Sequence, residues 1–478
     1  MALPCMLLAA APAHAELAFE PCDLRGSAGY GRVPAQCAWL DVPEDPGMPD
    51  GVRIRLRVAR VASLAADPAA DPVILINGGP GASAIDLYVD LAGAFEGVRR
   101  HRHIVLMDQR GTGRSARLDC EALQDASESF DPDAIRRATD TCLADLPGDP
   151  RFYGTRQAVH DLERLREALG VPAWNLYGVS YGTRVAQQYA RQHPDAIRTL
   201  ILDGVLPPGI ALGPDVALNA EQTLRALIDR CAESADCADA FPALRAQLES
   251  LGQRLRERHI EVSLNHPLTG RPESVSLSYM HLAMTLRLLS YAPEGAALIP
   301  IIVDEAAARG NFLPIASQAL QIERGLRDAI AFGMHNSVVC GEDVPFYGDI
   351  DQQLPALDAT YLGGDQVRAL RLICERWPAT AEDASFKAPL VSALPTLLLS
   401  GAEDPITPPR YADQVVAGLA NGRHLVAPGQ GHGIAARGCV PELIDDFISA
   451  GSAAGLDVGC LQRLAPDPFF VDLLGPPP

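Results

Sequence analysis

One serine stands out by its neighbours. The run Leu176-Tyr177-Gly178-Val179-Ser180-Tyr181-Gly182-Thr183 sets Ser180 between two glycines. In G-x-S-x-G spacing a serine hydroxyl projects from a sharp strand-to-helix turn, exposed for attack on an acyl carbon. Gly178 and Gly182 are required because side chains there would collide with the neighbouring strand and helix. Such a serine needs a base, and the base needs an acid to orient it. His432 is the candidate base: within Pro428-Gly429-Gln430-Gly431-His432-Gly433 it is flanked by glycines that permit close approach. Asp404 is the candidate acid, in the Gly- and Pro-rich loop from Ser400 to Pro408; Glu403 and Asp203 are its rivals. Of eleven histidines, only His432 follows a late strand between glycines. His193, before Pro194, reads as a helix cap, and His160 as a structural residue heading a helix over 161–169.

Acyl transfer also needs donors for the developing oxyanion. Asn77-Gly78-Gly79-Pro80-Gly81 follows an apolar strand. Pro80 has no N–H, so the Gly79 amide is the best-placed donor there. The Tyr181 amide, immediately after the nucleophile, is the second. The same glycines would also serve a plain tight turn.

These residues need a scaffold of strands and helices. Trp174 to Val179 reads as a buried strand. Tyr181 to His193 reads as a helix with Val185, Ala186, Tyr189 and Ala190 on one face and Pro194 as its stop. Val52, Ile54, Leu56, Val58 and Val61 alternate as a half-exposed antiparallel strand, with 37–42 as its partner. The continuous apolar runs 72–76 and 104–107 read as parallel strands buried on both faces. Further strands fall at 198–202, 395–399 and 424–426. From Pro207 to Ala393 the texture turns to helical periods with few strand-like runs. The expected organisation is therefore a signal segment over 1–15, a core over 16–206 and 394–478, and a mostly helical insert over 207–393.

Composition narrows the class. The 478 residues are 48% hydrophobic and 21% charged, as for a globular protein with ample core. A net charge of -20 argues against nucleic-acid or anionic-membrane partners. Lys387 is the only lysine, which the sequence attributes to nothing beyond base composition. The apolar stretch from Leu3 to Ala11 and the Ala13-His14-Ala15 cleavage pattern predict an export signal, without a basic n-region. Beyond Cys5, ten cysteines remain at 22, 37, 120, 142, 231, 237, 340, 374, 439 and 460. Pairing neighbours is the simplest connectivity, though ten cysteines permit on the order of a thousand. An even set after an export signal favours disulfides over free thiols. No Cys/His cluster has zinc-site spacing, so no metal is expected.

Taken together, Gly78-Gly79-Pro80-Gly81, the segment from Asp108 to Ser115 (DQRGTGRS), Gly178 to Gly182 and Gly431-His432-Gly433 resemble the serine aminopeptidase family of the α/β-hydrolase fold. That family includes prolyl iminopeptidases and secreted tripeptidyl aminopeptidases. Val338 to Asp343 (VVCGED) and Cys374 to Pro378 (CERWP) are similar to segments of the tripeptidyl branch and suggest a 340–374 disulfide. The resemblance implies an α/β-hydrolase core, a mostly parallel sheet with helices on both faces, carrying a large, mostly helical cap. It implies an exported exopeptidase without cofactor, acting on short peptides with a free N-terminus. Asn77 stands where many relatives have histidine, at a position that serves loop geometry. Asp108 and Arg110 are expected to brace the turn beneath the site. Holding a free α-ammonium calls for acidic side chains facing the serine, with Glu342 the first candidate and Asp343 the next.

Overall fold

The computed structural model describes residues 17–26, 31–123, 131–266 and 269–476. The expected signal segment over 1–15 lies outside these residues.

Among the described residues nine strands form one sheet, in the order β1-β2-β3-β5-β4-β6-β7-β10-β11. In chain order they are β1 (Glu20–Arg25), β2 (Arg32–Pro43), β3 (Arg53–Val61), β4 (Val73–Ile76), β5 (Ile104–Met107), β6 (Trp174–Val179), β7 (Ile197–Asp203), β10 (Thr396–Gly401) and β11 (Gly422–Ala427). β8 (Ile260–Asn265) and β9 (Pro272–Leu277) pair apart from it as an antiparallel ribbon. The first three strands and the β3–β5 pairing are antiparallel; every pairing from β5 through β4, β6, β7 and β10 to β11 is parallel.

Period-two alternation explains how the sheet is covered on both faces. Ile74, Ile76, Val105, Met107, Leu176, Leu200 and Leu202 belong to one buried cluster. Val73, Leu75, Ile104, Leu106, Tyr177, Ile201, Leu397 and Leu399 belong to the other. The helices that matter for the site are α1 (Ala84–Leu91), α2 (Thr155–Leu169), α3 (Tyr181–Gln192), α4 (Pro214–Glu233), α5 (Tyr279–Leu289) and α6 (Phe332–Glu342). α4, α5 and α6 lie in the chain between β7 and β10, two strands that are neighbours in the sheet.

One strand was not expected from the sequence, and two local expectations change. β1 was not legible, because EPCDLR has no clean alternation; it forms by pairing with β2 and is tied there by Cys22–Cys37. The β8–β9 ribbon interrupts a stretch read as helical. α2 begins at Thr155, so His160 sits mid-helix and exposed rather than at the helix head. The structure forms the five neighbour disulfides 22–37, 120–142, 231–237, 340–374 and 439–460.

Candidate active site

The elbow is built from strain and close approach. Ser180 has φ 57° and ψ -128°, a conformation rare for a residue with a side chain. Its amide donates to the Asp203 carbonyl at 2.9 Å, anchoring the turn to β7. A Cβ on Gly178 would lie 2.6 Å from the Gly182 carbonyl oxygen, and one on Gly182 would lie 2.4 Å from that of Ile76. The chain can turn this tightly only with glycine at both positions.

The base and acid come from the ends of the last two strands. Asp404 follows β10 and is fully buried; His432 follows β11. His432 Nδ1 lies 2.8 Å from Asp404 Oδ2 and 3.1 Å from Thr407 Oγ1. Asp404 also accepts from the amides of Ile406 and Thr407 at 2.8 and 2.9 Å and from the Thr407 hydroxyl at 2.8 Å. Burial alone would raise the Asp404 pKa, but the imidazole and these donors hold it below the ordinary value. Burial likewise opposes the imidazolium, yet the Asp404 charge raises the His432 pKa overall. Among the described residues Nε2 of His432 has no hydrogen-bond partner, which leaves it open toward a nucleophile. The imidazole packs over Gly204, where a Cβ would come 3.0 Å from Cε1. The elbow and the imidazole thus rest on consecutive residues, Asp203 and Gly204. From the other side, the Tyr291 carbonyl accepts from the His432 amide at 2.7 Å, and the Tyr291 ring meets the imidazole edge-on at 5.2 Å.

The two rival acids are placed elsewhere. Glu403 points to Arg230 of α4, 3.5 Å away. Asp203, fully buried, accepts from the Tyr177 hydroxyl at 2.8 Å and from the amides of Ile434 and Ala435 at 3.0 and 2.9 Å. It therefore grips the backbone just past His432 rather than the imidazole, a role that its place at the end of β7 did not reveal.

The glycine loop after β4 lies against the serine. A Cβ on Gly78 would sit 2.6 Å from Ser180 Cβ and 3.1 Å from its Oγ. Asn77 closes this loop, accepting from the Gly78 amide at 2.6 Å and donating to the Ser83 carbonyl at 2.7 Å. Asp108 secures the far end, accepting from the Ser83 hydroxyl at 2.6 Å and the Ile85 amide at 3.2 Å. Arg110, buried beneath, makes a bidentate pair with Asp161 at 2.7 Å for both bonds. Neither the Gly79 nor the Tyr181 amide has an acceptor among the described residues. Both are therefore available to an oxyanion.

Glu342 and Asp343 occupy positions unlike those expected of ammonium acceptors. Glu342 is 2% exposed, and its oxygens accept from the Thr155 amide at 2.6 Å and the Thr155 hydroxyl at 2.8 Å. That hydroxyl also meets the Tyr181 phenol at 2.7 Å, so Glu342 lies behind the elbow helix. Burial raises its pKa to about 7 against the pull of Arg184. Asp343 is fully buried, bidentate to Arg184 at 2.8 and 3.1 Å, bonded to the Leu212 amide at 2.9 Å and 3.2 Å from Lys387. The chain's single lysine is therefore part of a buried charge network, its pKa lowered to about 8 by burial and by Arg184. Both carboxylates are thus bonded within the protein, and one buried arginine, Arg184, lies against both.

Family models match two parts of the chain. Residues 71–267 match the alpha/beta hydrolase fold, and residues 360–460 match a TAP-like protein. The chain has the α/β-hydrolase fold and is similar to the serine aminopeptidases of that fold. It is likewise similar to serine protease Hip1 of Mycobacterium tuberculosis, at 25% identity over 92% of this chain and 90% of that one. It is 30% identical to the putative hydrolase YuaR of Escherichia coli over 45% of this chain and 44% of the other. With the tripeptidyl aminopeptidase of Streptomyces lividans it shares 27% identity over 37% and 36% of the two chains. The matches thus span less than half the length of the Escherichia and Streptomyces relatives.

Proposed function

We propose that this hydrolase is an exported serine exopeptidase that releases an N-terminal residue or a short di- or tripeptide from unblocked peptides. The observation that carries this reading is the Asp404–His432 hydrogen bond of 2.8 Å, held at the strand ends beside a strained serine elbow. In the mechanism, Ser180 Oγ attacks the scissile carbonyl while His432 Nε2 takes its proton. The oxyanion is received by the Gly79 and Tyr181 amides. His432 returns the proton to the departing amine, and water then hydrolyses the acyl-enzyme by the same path. Asp404 keeps the imidazole in the tautomer with Nδ1 protonated and supports its charged form. Relatives bearing tripeptidyl aminopeptidase and proline iminopeptidase names support a peptide as acyl donor. Five disulfides support an oxidising compartment, and no helix among the described residues is long and apolar enough to cross a membrane.

The engagement of Glu342 and Asp343 favours a second reading, a carboxylesterase or amidase for small substrates, since fold and triad do not choose the acyl group. Initial rates on Pro-, Ala- and Ala-Ala-Pro-type fluorogenic amides, each free and N-acetylated, and on p-nitrophenyl esters separate the two. The exopeptidase reading expects cleavage of free but not acetylated amides. Ester turnover without any amide cleavage would overturn it. Ser180→Ala is expected to lower kcat by a factor on the order of 10⁶.

A further inference from the structure

The loop that carries the Gly79 amide is soft by composition. Asn77-Gly78-Gly79-Pro80-Gly81 contains three glycines, and Gly79 and Gly81 adopt φ of 106° and 108°. An oxyanion donor works through preorganisation, so a donor on such a loop must be held by groups around it. Asn77 closes the end next to β4 through the Gly78 amide and the Ser83 carbonyl. The opposite side is met by a distant segment between β7 and β10, in which His335 lies 255 residues beyond Pro80.

Ile330 and Ala331 join the helix over Leu313–Ala329 to α6. Ile330 forms an antiparallel bridge with Ala82, and the Ala331 amide donates to the Gly81 carbonyl at 3.0 Å. A Cβ on Gly81 would lie 2.8 Å from the Ala331 carbonyl oxygen, and one on Gly79 would lie 3.3 Å from Ile330 Cδ1. This joint is fastened in turn. The Arg117 guanidinium donates to the Ile330 carbonyl at 3.1 Å, and the Gly333 amide donates to the Leu118 carbonyl at 3.0 Å. In the first turn of α6 the His335 amide donates to the Ala331 carbonyl at 2.9 Å, and His335 Nδ1 lies 3.2 Å from the Pro80 carbonyl oxygen. A carbonyl only accepts, so Nδ1 carries the proton. Burial lowers the pKa of this imidazole and favours its neutral form. One turn of chain thus bonds two successive loop carbonyls: Gly81 through a backbone amide and Pro80 through a side chain.

We propose that His335 is a positioning residue of the oxyanion hole, which sets the direction of the Gly79 N–H by holding the Pro80 carbonyl. In this role His335 touches no substrate and acts through the loop. Without its donor, the glycine-rich stretch rotates about Gly79 and Gly81, and the Gly79 amide meets the oxyanion in only part of the population. The loss falls on charge developing at oxygen, because Asp404 and His432 sit at the ends of other strands and keep their bond. The inference rests on the acyl-transfer mechanism of Ser180 and holds for an ester as for a peptide.

The test compares p-nitrophenyl acetate with its thiono analogue, in which sulfur replaces the carbonyl oxygen. Sulfur accepts hydrogen bonds weakly, so the thiono ester draws little from the hole. Active enzyme is counted by fluorophosphonate titration of Ser180, which removes unfolded protein from the rates. Losing one oxyanion donor costs ~10²–10³ in rate, so partial misplacement in His335→Phe should lower kcat/KM for the oxygen ester by ~10- to 10²-fold. The thiono ester should lose much less, so the oxygen-to-sulfur rate ratio shrinks by about tenfold or more. His335→Asn, whose side-chain amide places an N–H as far from the backbone as Nδ1, should keep the ratio close to that of wild type. Should His335→Phe yield no titratable Ser180, the ratio is read in His335→Ala against His335→Asn. Equal losses on both esters would make His335 a general support of the fold and overturn the proposal. So would a donor-free variant with the wild-type ratio, or an Asn variant as impaired as the donor-free one. Wild-type protein that hydrolyses the oxygen ester without labelling at Ser180 would refute the mechanism itself, an outcome separate from the role of His335.

Discussion

Replacing Asp203 by asparagine probes how the fold holds His432 without touching the imidazole. The carboxylate faces three donors, the Tyr177 hydroxyl and the amides of Ile434 and Ala435, at 2.8 to 3.0 Å in a site with no exposure. Asparagine offers one acceptor oxygen and turns an NH₂ toward a donor. Charge-assisted bonds of ~1.5–3 kcal/mol become neutral ones of ~0.5–1.5, and an orphaned buried donor costs a further ~1–3. A loss of about 2–4 kcal/mol in urea unfolding at neutral pH is the expected sum. The two amides follow His432 by two and three residues, so the imidazole shifts with them. A displacement near 1 Å costs about 10²-fold in rate. kcat for a p-nitrophenyl ester should therefore fall about 10²-fold with KM little changed. Asp203 also contributes, after burial and Asp404, to raising the His432 pKa, so the acidic limb of kcat/KM should move to lower pH. Stability within about 0.5 kcal/mol of wild type and kcat within about twofold would refute this reasoning. So would a loss exceeding that of Asp404→Asn, which would make Asp203 the orienting acid.

Further outcomes follow from the same geometry. Asp404→Asn should lower kcat about 10⁴-fold by releasing the imidazole from its working tautomer. Because Asp404 holds the His432 pKa above 6.5, the acidic limb of wild-type kcat/KM should lie above pH 6.5, and in the variant it should move down; an unmoved limb would contradict the pairing. Glu342→Gln should reduce ester and peptide turnover in parallel, since Glu342 reaches the elbow helix through Thr155, Tyr181 and Arg184; a loss confined to peptides would restore it as a substrate contact. The Glu342 pKa rises from 4.5 to about 7 on folding, so the folded state holds its proton more tightly and wild-type stability falls as pH climbs through that window. Relative to Glu342→Gln, wild type should lose ~3 kcal/mol between pH 4 and 8 in urea unfolding.

The positions of Ser180, Asp404 and His432 were legible because each sits where a strand ends in a glycine-rich turn, and local sequence records such turns. The parallel strands were legible from their continuous apolar runs. What escaped depends on partners distant in sequence. β1 exists through its register with β2, and nothing in EPCDLR alone announces it. Asp203 looked like a spare acid, because its partners lie some 230 residues away in the His432 loop. Glu342 was read outward from its charge, whereas Arg184, 158 residues earlier, draws it inward. The lone Lys387 carried no sequence signal beyond its rarity, and its place beside Asp343 emerges only in three dimensions.

The most direct test of the account is covalent labelling with a fluorophosphonate, followed by intact mass and peptide mapping. The account predicts one adduct per chain, on Ser180, absent in Ser180→Ala and formed far more slowly in Asp404→Asn and His432→Ala. An adduct on another residue, or an unlabelled Ser180 in protein that turns over ester or peptide, would contradict it.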